Sequence, residues 1–223
     1  MTTIFSPETI AFLQQLKVNN NKPWFLAHEA VYRQHVLEPL RDLVETLSEA
    51  MLDIDAEFET APLVNKTISR IYRDTRFSRD KSLFRSEMWI TFKRRRKDWQ
   101  DTPGYFFEIA PEHYRYGMGL YQASRETMDD FRAKLATRPE EFRRVIAFLH
   151  SAPQWSVEGD SYKRTRNPEI PDDLQSWYQR KTCYLLCTHP VDASLFRPTF
   201  AGELAAEFQA LSPLYHYFWS LKR

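Results

Sequence analysis

Near the start of the chain, apolar residues recur at helical spacing. Ile10, Leu13 and Leu16, with Phe12 beside them, return every three or four positions and so share one helix face. The helix begins at Ser6-Pro7-Glu8, which supplies a capping hydroxyl, a proline at the first helical position and an acid in the first turn. Asn19-Asn20-Asn21 stops it. A second helical stripe opens near Lys22-Pro23-Trp24 and runs to about Leu52 through Phe25, Val31, Tyr32, Val36, Leu40, Leu43, Val44 and Leu47. Pro39 lies inside this stripe and predicts a kink or split, because proline removes a donor and crowds the preceding turn. The short connection between the two helices predicts an antiparallel pair.

Beyond Asp53 the pattern changes. Met88–Phe92, Tyr105–Ile109 and Tyr114–Met118 are β-rich runs, separated by turn signals at Pro103-Gly104 and Pro111-Glu112-His113. They predict an antiparallel meander. In the third run Tyr114, Tyr116, Met118 and Leu120 fall on one face, and His113, Arg115, Gly117 and Gly119 on the other. Helices are predicted from Ser124 to about Ala136 and from Pro139 to about His150. A short extended stretch around Trp155, a strand through Cys183 and helical runs from Pro198 and Pro213 follow. With no repeat and no low-complexity linker, residues 1–223 read as a single α+β domain. It consists of an N-terminal helix pair packed on an antiparallel sheet, with further helices in the C-terminal half.

Composition narrows the function classes. Of 223 residues, 43% are hydrophobic, 27% charged and 15% aromatic, an ordinary globular mixture rich in rings. The five glycines, Gly104, Gly117, Gly119, Gly159 and Gly202, cannot be assembled into a dinucleotide or P-loop phosphate cradle. Cys183 and Cys187 lie on one apolar strand about 13 Å apart, beyond a disulfide, and read as core thiols. The first lysine is Lys17, so no basic leader is expected, and the longest stretch without Asp, Glu, Lys or Arg is 14 residues, Phe208–Leu221. That is short of the roughly 20 apolar residues of a membrane span. The expectation is a soluble cytoplasmic protein with no membrane partner; nothing in the sequence sets its oligomeric state.

Charge changes the picture. The net charge is +1, yet Lys66–Lys97 carries twelve Lys/Arg against Asp74, Asp80 and Glu87. Between Glu38 and Glu59, eight acids face only Arg41. The basic segment contains Arg70-Ile-Tyr-Arg73-Asp74-Thr-Arg76-Phe77-Ser78-Arg79-Asp80-Lys81. Arg presents a planar fork of donors that matches carboxylate and phosphate oxygens. Asp74 and Asp80 can orient those arginines, act as a general base, or hold a magnesium ion together with a substrate phosphate. No other cofactor is evident. An internal salt-bridge lattice, locking a loop against the acidic helix, explains the same residues.

This segment, together with Asn20-Asn21-Lys22-Pro23-Trp24-Phe25 and Gly117-Met118-Gly119-Leu120-Tyr121, resembles the bacterial and fungal family known as domain of unknown function 2461. The resemblance covers nearly the whole chain in order. Where the family usually has Pro-Tyr-Lys shortly after Lys81, this chain has Leu83-Phe84-Arg85, without the proline. The resemblance implies a single-domain soluble protein and supplies no established activity.

The residues themselves point to a basic pocket for a small anionic or phosphate-bearing ligand. Arg70, Arg73, Arg76 and Lys81 are the clamps, Asp74 and Asp80 the catalytic or orienting carboxylates, Trp24 and Tyr121 the walls. Gly117 and Gly119 form a bare strand face, and His113 is the histidine nearest to it. A non-enzymatic scaffold built on the lattice is the alternative. Nucleic-acid binding through Lys93–Lys97 is a third reading; with the near-zero net charge that run is read instead as a solvated hairpin tip, and a nucleic-acid partner is not expected. Asp53-x-Asp55-x-Glu57-x-Glu59 lacks the Gly and Glu of a calcium loop, having Phe58 and Val64 there, and reads as a solvated face. The six histidines show no metal spacing.

Overall fold

The computed structural model describes residues 3–76, 80–164 and 166–222. Helix α1 (Pro7–Val18) follows Ser6, whose backbone N–H donates to Thr9 Oγ1 at 3.3 Å. Helix α2 (Lys22–Ala27) is capped by Asn21, whose side chain accepts the Trp24 N–H at 3.0 Å. The long second helix expected from Lys22 to Leu52 is instead divided into α2, α3 (Glu29–Tyr32), a π-turn (Arg33–Leu37) and α4 (Glu38–Ile54). The break lies upstream of Pro39. His28 leaves helical geometry at φ −117° and its Nδ1–H donates to the Trp24 carbonyl. Pro39 itself occupies the first turn of α4, where a missing N–H costs nothing.

The acidic run after α4 corrects a second expectation. Asp55 and Glu59 are buried, at 7% and 4% exposure, while Leu52 and Ala56 are exposed. Because the helix continues to Ile54, burial follows a helical period rather than strand alternation. Asp55 accepts the Glu57 N–H at 2.9 Å; Glu59 accepts the Ala61 N–H at 3.0 Å and pairs with Lys66 at 3.5 Å.

The sheet is antiparallel and five-stranded: β1 (Met88–Phe92), β2 (Gly104–Ile109), β3 (His113–Leu120), β4 (Ser156–Glu158) and β5 (Cys183–Pro190), in spatial order β1-β2-β3-β5-β4. β4 and β5 pair with Ser156 opposite Leu186. The remaining helices are α5 (Arg125–Thr137), capped by Ser124, α6 (Pro139–Val145), α7 (Asp172–Tyr178), α8 (Phe200–Ala210) and α9 (Ser212–Trp219). The fold class is α+β, as the pattern predicts. α7 was not predicted; its signal is Pro171 before two acids, with Leu174 and Trp177 buried one turn apart.

The chain divides into two compact units. The first is Met1–Phe92, Phe106–Arg115 and Thr188–Ala206; the second is Lys93–Tyr105, Tyr116–Cys187 and Glu207–Arg223. In the first, Leu13, Leu16, Leu40, Leu43 and Leu47 are fully buried, α4 lies beside β1, and Phe5 stacks on Phe107 of β2 at 5.6 Å. In the second, Phe131, Phe142 and Trp177 meet edge to face, and Phe208 packs on Tyr105. Cys183 and Cys187 are buried thiols not joined in a disulfide, and burial pushes the Cys183 thiol up to about 12. Among the described residues no helix is long and apolar enough to cross a membrane.

Candidate functional site

The arginine-rich segment folds into a two-stranded ribbon in the first unit. The Arg73 N–H donates to the Leu83 carbonyl at 2.9 Å, and the Arg85 N–H to the Ile71 carbonyl at 2.8 Å, with Tyr72 opposite Phe84. Strand alternation therefore puts Tyr72 and Phe84 on one face and leaves Arg73 and Arg85 to the other. The aromatic face is held by Phe25 of α2, which stacks on Phe84 at 4.3 Å. Asn20 completes the grip. Its Nδ2 donates to the Phe84 carbonyl at 2.8 Å, and its Oδ1 accepts the Phe84 N–H at 2.9 Å, as a neighbouring strand would. The base of the ribbon is tied to β1, where the Ser69 N–H donates to the Trp89 carbonyl and the Trp89 N–H to Ser69 Oγ.

The charged side chains fall into two groups. Some are closed against carboxylates. Arg76 grips Asp74 with two bonds of 3.0 and 2.7 Å, and Arg73 lies 3.0 Å from Glu87 and 3.4 Å from Asp80. Lys81 donates to the Thr75 carbonyl at 2.8 Å, and Asp80 accepts the Ser82 N–H at 2.9 Å. The Arg76 guanidinium holds the Asp74 carboxyl well below the usual carboxylate range; bonds from Ser82 lower that of Asp80.

The others stay open. Among the described residues, Arg70 and Arg85 have no carboxylate within ion-pair distance. Arg70 is exposed. Arg85 is half-buried with its guanidinium 4.6 Å from the centre of the Trp89 ring. Burial first, then the charge of Arg73, depresses the proton affinity of Arg85, with Glu87 opposing and Arg70 adding to the depression.

The other sequence candidates lie elsewhere. Trp24 packs on Phe12 and His28, while its neighbour Phe25 is the ring that reaches the ribbon. His113 starts β3, 3.7 Å from Glu108, a carboxylate already clamped by Arg115 at 2.6 and 3.1 Å. Gly117, Gly119 and Tyr121 belong to the second unit. There Tyr121 meets Tyr184 at 4.5 Å, and Gly119 gives passage to the β5 backbone: a Cβ on it would stand 2.4 Å from Tyr184 Cα. Arg79 lies outside the described residues.

The basic run Lys93–Lys97 is more engaged than a solvated tip. Arg94 lies 4.0 Å from the centre of the Trp219 ring and Arg96 binds Asp98, although residues 95–97 are exposed. Among the described residues no group of three or more His, Cys, Asp or Glu side chains is placed to hold a metal. Both Asp74 oxygens are taken by Arg76.

Sequence reasoning missed the roles of Arg85, Glu87 and Asn20. The spacing of Arg85 from the other arginines hides that pairing across the ribbon brings it back beside Arg73, and only the fold joins Asn20 to Phe84.

No curated protein matches the chain. The family described as "Conserved hypothetical protein (DUF2461)" matches residues 8–217. The pattern carried by the arginine ribbon, its asparagine clamp and the Gly-x-Gly strand thus extends across nearly all of the sequence, and the chain belongs to the DUF2461 family.

Proposed function

We propose that the ribbon binds a small anionic ligand, one bearing a phosphate or a comparable oxyanion. Arg70, Arg73 and Arg85 are its clamps and Trp89 a wall. The observation that carries this reading is the pair of guanidiniums, Arg70 and Arg85, that have no carboxylate within ion-pair distance among the described residues. A bound oxyanion supplies the missing counter-charge through short charge-assisted bonds. Asp74 and Asp80 serve as orienters, because carboxylates held below their usual range take up protons poorly at neutral pH. Lys81 stands at the rim.

A second reading has its own support. The Arg76–Asp74 and Arg73–Glu87 pairs are the start of a structural lattice, and in that case the ribbon is a scaffold with no ligand. Calorimetric titration with inorganic phosphate separates the two. The ligand reading expects a phosphate-binding step in the parent protein that weakens about tenfold or more in R70A/R85A and is nearly unchanged in R76A. No binding by the parent, or equal binding by R70A/R85A, leaves the lattice.

A further inference from the structure

The second unit contains another concentration of positive charge, built around Tyr162. Arg166, Lys181 and Arg132 lie 4.5, 5.2 and 5.3 Å from the centre of its ring. Arg132 is fixed: it is 3% exposed, and its guanidinium donates to the Tyr178 carbonyl at 3.2 Å, the Arg180 carbonyl at 2.8 Å and Asp129 at 2.6 Å. Asp129 also serves Arg125 at 3.5 Å and Arg166 at 4.0 Å, so one carboxylate answers three guanidiniums. Lys181 has no carboxylate within ion-pair distance among the described residues. The backbone that carries the ring is held in place, since the Tyr162 N–H donates to the Gln179 carbonyl at 2.9 Å and Ser161 bridges to Arg180.

A ring quadrupole attracts cations but carries no net charge, so it cannot offset their mutual repulsion. We infer that the Tyr162 cluster is a second oxyanion site, taking the phosphoryl or sulfuryl group of a small molecule between Arg166, Lys181 and the Tyr162 hydroxyl. Arg166 offers a planar fork and Lys181 a point charge, a combination suited to a tetrahedral group with oxygens on several sides. Arg132 acts from behind: being buried and bonded, it fixes the positive field without moving. The site is independent of the arginine ribbon.

The experiment uses inorganic phosphate as the probe and R70A/R85A as the background, so that the ribbon contributes nothing. That protein is expected to retain phosphate binding in low-salt calorimetry. Adding R166A and K181A weakens this binding about tenfold or more, and restoring position 181 as Lys181→Arg recovers most of it. Tyr162→Phe, which keeps the ring and removes the hydroxyl, lowers affinity by a few-fold. Lys181→Gln alone, a change at an exposed side chain, gives the same direction of effect should the double replacement fold poorly. Absence of phosphate binding in R70A/R85A overturns the inference whatever the parent does, and so does binding that ignores both R166A/K181A and K181Q.

Discussion

Asn20 shows how one side chain can substitute for a strand. Phe84 is 1% exposed, so its backbone N–H and carbonyl have little access to water and take both bonds from a single carboxamide. Asn20→Ala leaves those groups without partners and is expected to cost about 1–3 kcal/mol, read as a lower urea midpoint. Asn20→Asp turns a donor into an acceptor facing a carbonyl and is expected to be no milder. An unchanged midpoint in both variants refutes the clamp. The triple asparagine was legible as a helix stop, because stops are local. Its partner 64 positions away was not, because no spacing in the sequence announces a bond that only the tertiary fold creates.

Among the elements, the strands were the most legible. Met88–Phe92 matches β1 residue for residue, and β2 and β3 exceed their predicted runs only at the ends. Aromatic and β-branched runs bounded by Pro-Gly and Pro-Glu-His turns are local signals, and the sheet uses them unchanged. The helices from α2 to α4 were harder, since an apolar stripe continues through His28 and the π-turn although the backbone does not.

Gly119 belongs to the same scale. Its missing Cβ admits the β5 backbone, with Cys183 O at 2.5 Å from where a Cβ would lie. Gly119→Ala therefore forces β3 and β5 apart, at an expected cost of about 1–3 kcal/mol and with faster amide exchange along β5. Gly202, in α8, has nothing within 4 Å of its added Cβ, and Gly202→Ala is expected to stabilise by about 0.4–1 kcal/mol. The reverse order of the two variants in thermal melts contradicts this account of the sheet.

For the whole molecule, the shifted groups define a pH window. Asp74, Asp80, Asp101 and Asp173 are all lowered from an ordinary value of 3.8, and Glu112 and Glu141 from 4.5. Each therefore binds its proton less readily in the folded chain. The stability it contributes is complete above the unfolded value and is lost as pH falls through the folded one. At the other end, burial raises Cys183 from 9.0 to about 12 and Tyr32 from 10.0 to about 12, so folding favours their neutral forms. That contribution is present below the unfolded values and lost as pH climbs toward 12. The urea midpoint is expected to be flat from about pH 5 to 8.5 and to fall on both sides. Several of these carboxylates are exposed, so each contributes a small share of the acid limb. A midpoint at pH 3 equal to that at pH 7 rules the acid limb out.

By itself the sequence determined the class, the strands, several helix starts and the family, because caps, turns, periodicity and motif order are written between near neighbours. It also placed the arginines and the aspartates in one segment. Which guanidinium closes on a carboxylate and which stays open was decided only by the tertiary structure. Arg76 meets Asp74 two residues away, Arg73 meets Glu87 because the ribbon folds back, and Arg85 is carried to Trp89 with no carboxylate within ion-pair distance among the described residues. The same holds for Tyr162, whose three cations come from α5, from the loop after β4 and from the segment that leads into β5. Charge pairing depends on distances of a few ångströms between residues far apart in the chain, and only a folded backbone sets those distances.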